Sequence, residues 1–158
     1  MAIRILDKIG SPNVLRTDPT IGTLMPAYCT SSGKAILAFL PQEELEAFLE
    51  SAKFKAFTPS TITSKRGIKK ELIVTRQRGF ALDNEEWLRG IQCLGAPIFD
   101  YTGRPIYSIS IAAPSFRMTS SVIDRAQKKI REACSEISRH LGWAGTGMEP
   151  YEPKRKRI

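Results

Sequence analysis

The spacing of apolar residues along the chain changes several times, and each change marks a different element. Between Thr119 and Leu141, the residues Val122, Ala126, Ile130, Ala133, Ile137 and Leu141 recur every three or four positions, and Gly142 follows. That spacing is one face of a long amphipathic helix, with a glycine just past its end. A shorter helix is predicted after Pro41, where Leu45, Phe48 and Leu49 share a face. Thr63 or Ser64 is placed to cap a third helix, with Ile68, Leu72 and Thr75 along one side and Gly79 beyond it. Thr30 or Ser31 opens a fourth, running through Lys34 to Leu40 and apolar enough to be buried.

Elsewhere the pattern is that of strands. Ile3 to Ile9 predicts one, Gly10-Ser11-Pro12-Asn13 a turn, and Val14-Leu15-Arg16 a second, before a loop carrying Pro19, Gly22 and Pro26. Phe80 to Trp87, Gly90 to Phe99 and Pro105 to Ala113 read as three more. The last two are joined through Asp100-Tyr101-Thr102-Gly103 as a hairpin. Antiparallel strands interrupted by helices predict an α+β domain, with helices packed on a mixed or antiparallel sheet.

Composition narrows the class. At 158 residues, 42% hydrophobic and 25% charged, the chain has the makings of a single globular domain, not of a disordered or fibrous one. No apolar run approaches the length of a membrane span, and Met1 to Asp7 lack the features of a secretory signal. Cys29, Cys93 and Cys134 are odd in number and far apart, which argues against a disulfide framework and for a reducing, cytoplasmic setting. With His140 the single histidine, neither a metal site nor a cofactor is expected.

The net charge of +8 invites a nucleic-acid reading, but its distribution does not support one. Lys65-Arg66, Lys69-Lys70, Arg76, Arg78, Lys128-Lys129 and Arg131 are scattered along helices, as on a solvated face. Lys154-Arg155-Lys156-Arg157 follow Pro150 and Pro153 and read as a disordered basic end. The expected organisation is one domain over residues 1–148 and a tail over 149–158.

Three patterns bear on chemistry. Gly33-Lys34 lacks the earlier glycine and the following Ser or Thr of a phosphate-binding loop, since Tyr28 and Ala35 stand there. Ser31-x-x-Lys34 matches the serine and lysine of penicillin-recognising enzymes, but no Ser-Asp-Asn or Lys-Thr-Gly follows. A small-molecule hydrolase using Ser31 and Lys34 is therefore the rival reading; the simpler one has Ser31 as a cap and Lys34 reaching out to solvent. The third pattern is in Ile106 to Ala113. Tyr107, Ile109 and Ile111 form an apolar face, while Ser108, Ser110 and Ala112 form a small, weakly polar one, and Cys93 and Gly95 share a face on the neighbouring strand. Such a face either lets a helix pack closely or lines a cavity. The helix start at Thr30-Ser31-Ser32-Gly33 would give a cavity backbone N–H donors for a carboxylate, and Asp83 an acceptor for a ligand hydroxyl. No base–nucleophile pair accompanies them, so binding is favoured over catalysis.

Taken in order, several segments resemble the C-terminal effector-binding domain of IclR-family bacterial transcription regulators. They are Pro26-Ala27-Tyr28-Cys29-Thr30-Ser31-Ser32-Gly33-Lys34-Ala35, Thr61-Ile62-Thr63, Arg78 to Glu86, Gly90 to Asp100, Ser108-Ile109-Ser110 and Pro114-x-x-Arg117. The resemblance implies a GAF-like α+β fold, a curved antiparallel sheet covered by helices, and a pocket for a small organic acid. It implies that backbone N–H groups at Ser31 and Ser32 hold the ligand carboxylate, that Asp83, Cys93 and Ser110 supply polar contacts, and that Met25 and Ile91 supply apolar walls. Glyoxylate-type sensors carry a serine where this chain has Ala112, which points to a different acid. It further implies a homodimer or homotetramer that meets DNA only through an N-terminal winged helix-turn-helix, expected to be absent from this sequence. A ligand-free dimerisation module is the third alternative.

Overall fold

The computed structural model of the chain describes residues 1–145, so the predicted tail lies outside the described residues. Among the described residues four α-helices form where local chemistry ends and starts them. Thr30 Oγ1 accepts from the Gly33 N–H at 3.2 Å and opens α1 (Ser31–Leu37). Pro41 precedes α2 (Gln42–Ser51), which buries Leu45, Phe48 and Leu49. Ser64 Oγ accepts from the Gly67 N–H at 3.1 Å and opens α3 (Lys65–Arg78); Gly79 closes it at φ 77°, a conformation only glycine takes without strain. Thr119 caps α4 (Ser120–His140).

Among the described residues two antiparallel sheets form. The smaller pairs β1 (Ala2–Arg4) with β2 (Leu24–Pro26). The larger has the order β3 (Ala81–Asn84), β4 (Ile91–Phe99), β5 (Pro105–Pro114). Side chains alternate across it, so its two faces meet different helices. Leu94, Ala96 and Ile98 pack with Ile130 and Cys134 of α4. Gly95, on the opposite face, lies against the backbone of Ser31 in α1. A second core joins Ala27, Tyr28 and Leu37 to Leu45, Phe48 and Leu49 of α2 and Ile68 and Leu72 of α3. The α+β expectation therefore holds, with the sheet between α4 and α1.

Four expectations are corrected. The Ile3–Ile9 strand stops at Arg4, and Val14–Arg16 is not a strand; the partner of β1 is instead Leu24–Pro26, inside the expected loop. A strand exists only as far as its ladder. Ile5 still exchanges bonds with Thr23 and Gly22, but Ile9 and Val14 stand in open solvent with nothing to pair against. The Phe80–Trp87 strand shrinks to Ala81–Asn84, because Asp83 takes the Glu86 N–H and Glu85 turns to φ 60°. In α4 the buried row is Ile130, Cys134 and Ser138, while Ala133, Ile137 and Leu141 face outward. Ser138 is inside because its hydroxyl accepts the Phe99 N–H at 2.9 Å and donates to the Cys134 carbonyl at 2.7 Å. Finally, Tyr107 and Ile111 are exposed rather than core, since β5 is an edge and α4 lies mainly over β4; Ile109 alone of the three packs beneath it.

Candidate functional site

The small-residue face of the sheet is where α1 sits. A Cβ built on Gly95 would stand 2.9 Å from the carbonyl carbon and oxygen of Ser31 and 3.1 Å from the Ser32 nitrogen. Close helix packing thus accounts for Gly95. Gly33 has a similar reason: a Cβ there would lie 2.2 Å from the Ala27 carbonyl oxygen, so it serves the packing of α1 on the 3₁₀ turn at Ala27–Cys29. Both glycines let backbone meet backbone.

Around this contact the ladder sets the side chains in rungs. Ala81, Gly95 and Ser110 stand opposite one another across β3, β4 and β5, and Asp83, Cys93 and Ala112 form the next rung on the same face. Ile91 opens β4 opposite Pro114. Ser31 is buried and Ser32 half-buried at the head of α1, where the Gly33 and Lys34 N–H groups already bond to Thr30. Of the sequence-predicted residues, Ser31, Ser32, Asp83, Cys93, Ser110 and Ala112 therefore belong to one face, though Ser110 and Ala112 are exposed along the edge strand. Met25 is half-buried in the other sheet, opposite Ile3, outside these rungs.

Asp83 is buried, and its Oδ1 accepts the Glu86 N–H at 2.7 Å, so it closes the turn after β3. Burial is the main cause that pushes its carboxyl up to about 6, and the Glu86 charge adds to it. The same lack of solvent pushes the facing Cys93 thiol up to about 12, aided by the Asp83 charge. Cys93 is a neutral, poorly nucleophilic thiol at this site.

Lys34 does not reach out to solvent. Its side chain is 1% exposed, and its ammonium is held by Glu86 Oε1, with Glu71 Oε1 of α3 at 3.6 Å. Glu71 in turn receives Arg78 at 2.9 Å. A buried ammonium needs such partners, because stripping its hydration costs several kcal/mol (about) that only close opposite charge returns. Thr58 and Thr61 hydroxyls hold the carbonyls of Glu85 and Glu86 at 2.6 Å each, fixing the loop that carries the carboxylate. Glu71 and Glu86 were not among the predicted site residues. The signal for them was Lys34 itself, a cation in an otherwise apolar helix, which requires an acid from elsewhere in the chain.

The ammonium is committed to carboxylates and not to the Ser31 hydroxyl, so the Ser31–Lys34 hydrolase arrangement is not formed. Among the described residues no group of His, Cys, Asp and Glu is placed to hold a metal ion, and no helix is long and apolar enough to cross a membrane.

Comparison with known proteins bears on the family and the fold. Residues 2–139 match the family model for the bacterial transcriptional regulator IclR C-terminal domain. The transcriptional repressor IclR of Escherichia coli is 32% identical over 138 residues, which are 87% of this chain and 50% of that protein. The crystal structure of the Thermotoga maritima IclR superimposes with a TM-score of 0.84 at 40% identity, covering 87% of this chain and 56% of that one. The inducer-binding domain of PobR from Acinetobacter, solved as a double mutant with 3-hydroxybenzoic acid, gives a TM-score of 0.70 at 26% identity, over 77% of this chain and 72% of that one. The chain spans about half the length of the curated relatives it matches, and those relatives are transcriptional regulators and repressors, not enzymes. By the extent of the family match and by its fold, the chain belongs to the IclR family, as a C-terminal domain of its transcriptional regulators.

Proposed function

We propose that this domain senses a small carboxylic acid and relays its presence to a DNA-binding domain elsewhere in a cytoplasmic, homo-oligomeric regulator. The observation that carries the reading is the seating of the Ser31–Ser32 backbone directly over the Gly95 rung, with Ser110 across from it and Asp83 and Cys93 one rung along. The N–H groups at the head of a helix precede its first internal hydrogen bonds and suit a carboxylate. Cys93 and Ala112 leave an apolar flank, and Ile91, at the start of β4, would add to it. That flank favours an acid with some carbon body over the smallest ones. The acid bound by PobR supports the same ligand class.

Thermal melting of the domain with pyruvate, glyoxylate and 3-hydroxybenzoate, each beside its amide, tests this. Ligand at about one hundred times its dissociation constant stabilises the fold by roughly 2.7 kcal/mol, a rise of roughly 5–10 °C for this size. At least one acid should raise the midpoint while its amide leaves it unmoved. Equal shifts by acid and amide, or no shift by any acid, would reject the carboxylate reading.

A further inference from the structure

The buried charges beside α1 do not balance. Asp83 and Glu86 are 3% and 4% exposed, and the Glu86 N–H donates to Asp83 Oδ1 at 2.7 Å, so two buried carboxyl groups hang from one turn. Lys34 is spent on Glu86, and Arg78 on Glu71. Asp83 is the acid left over. Glu86 Oε2 is also buried without a hydrogen-bond partner, which leaves an acceptor here with no donor. The other groups that act on Asp83 are two thiols, Cys93 across the ladder and Cys29 from the 3₁₀ turn. Both are pushed up to about 12, mainly by burial, and stay neutral.

A buried acid with no cation of its own relieves itself by taking a proton. In the empty domain burial has already pushed the Asp83 carboxyl up to about 6, so a modest further push protonates it at neutral pH. A second negative charge on the same face supplies that push, since Asp83 stands one rung along from the contact of Gly95 with Ser31. We propose that the site takes up a carboxylate and a proton together: the anion binds at the head of α1, and Asp83 draws one H⁺ from solvent and becomes a neutral carboxyl group. This rests on the carboxylate reading of the site. An anion and a proton enter, so the charge of the domain does not change. The new O–H can donate toward an oxygen of the bound acid, where the ionised Asp83 could only accept. The product of anion and proton concentrations sets the amount of undissociated acid, and it is this product that the domain reads.

Isothermal titration calorimetry of the chain with pyruvate, glyoxylate and 3-hydroxybenzoate at about pH 7, in PIPES and in imidazole, counts the protons. The two buffers differ in heat of ionisation, and the three acids stay ionised throughout. The expected count is about half a proton or more taken up per acid bound, with affinity falling several-fold, up to about tenfold, per pH unit as pH rises from about 6.5 to 8. Asp83→Asn cannot ionise and should lose both the uptake and the slope. If that variant fails to fold or to bind, the count in the unmodified chain decides alone. An acid that binds with the same heat in both buffers overturns the proposal and leaves the carboxylate reading standing. Uptake that persists in Asp83→Asn overturns it as well, because the proton then goes elsewhere. If no acid binds in either buffer, the carboxylate reading fails and this proposal with it.

Discussion

Gly95 lies directly beneath the Ser31 peptide, closer than any side chain would permit. A methyl group there meets backbone atoms, which cannot swing aside as a long side chain can. Gly95→Ala should therefore lift the head of α1 off the sheet and destabilise the domain by about 1–3 kcal/mol, the range for overpacking a filled interior. Gly33→Ala, aimed at the Ala27 carbonyl from 2.2 Å, should be the more severe of the two. Denaturant melts of the two variants check the order. A Gly95→Ala protein as stable as the parent would show that α1 does not rest on the sheet at Gly95.

The Lys34–Glu86 pair predicts a non-additive result. Removing one partner leaves a buried charge uncompensated, so Lys34→Met or Glu86→Leu alone should each cost about 3–5 kcal/mol. The double variant should be milder than either single one, because no buried charge between these two positions is then orphaned. Glu71 moderates Glu86→Leu, since it lies 3.6 Å from the ammonium and partly inherits it. A double-mutant cycle by urea unfolding measures the coupling. Additive losses would contradict the pairing.

Asp83 gives stability a slope with pH. Its folded carboxyl titrates near 6 and its unfolded one near the ordinary 3.8, so between those values the folded protein binds more protons. Stability must then fall as pH rises from about 4 to about 6, by up to ~3 kcal/mol for this group, and stay at the lower value above that. Burial raises Glu86 as well, which adds in the same direction. Asp83→Asn keeps an oxygen for the Glu86 N–H but cannot ionise. It should flatten the slope and leave the domain at least as stable at neutral pH. An unchanged slope in this variant would assign the titration elsewhere.

Ser138 fastens the far end of α4 to the sheet. In Ser138→Ala the Phe99 N–H, buried and otherwise served by that hydroxyl, loses its acceptor. The expected cost is about 1–3 kcal/mol, as for a buried donor left unmade, with faster exchange at the Phe99 amide. Exchange at Phe99 that does not change would remove Ser138 from this role.

Much of this was legible in the sequence because it rests on local rules. The helix starts at Thr30 or Ser31 and at Thr63 or Ser64, the glycine stop at 79 and the β4–β5 hairpin each depend on a few neighbouring residues. The misreadings share a cause, which is that the deciding partner is far away in the chain. Whether Ile3–Ile9 continues as a strand depends on Thr20–Thr23, and whether Tyr107 is core depends on how far α4 reaches. Lys34 was read as solvent-facing because Glu86 lies fifty-two positions ahead. At the site the ladder brought together the residues of β3, β4 and β5 that share one face, as strand alternation requires. It did not bring Met25 there, because β2 belongs to another sheet.

α1 is only seven residues long, yet it touches β1, β3, β4, β5, α3 and the turn before it. It works as the keystone of an arch. Its backbone is jammed against Gly95 on one side and Ala27 on another, and its one charged side chain is clamped by acids from two further directions. A close-packed interior of this kind has little compliance and shifts between arrangements instead of bending. A push on Ser31 of a fraction of an ångström therefore cannot be absorbed at Ser31. Lys34 ties this short helix to Glu71 of α3 and to Glu86 in the loop after β3, so a displacement of α1 is expected to reach both.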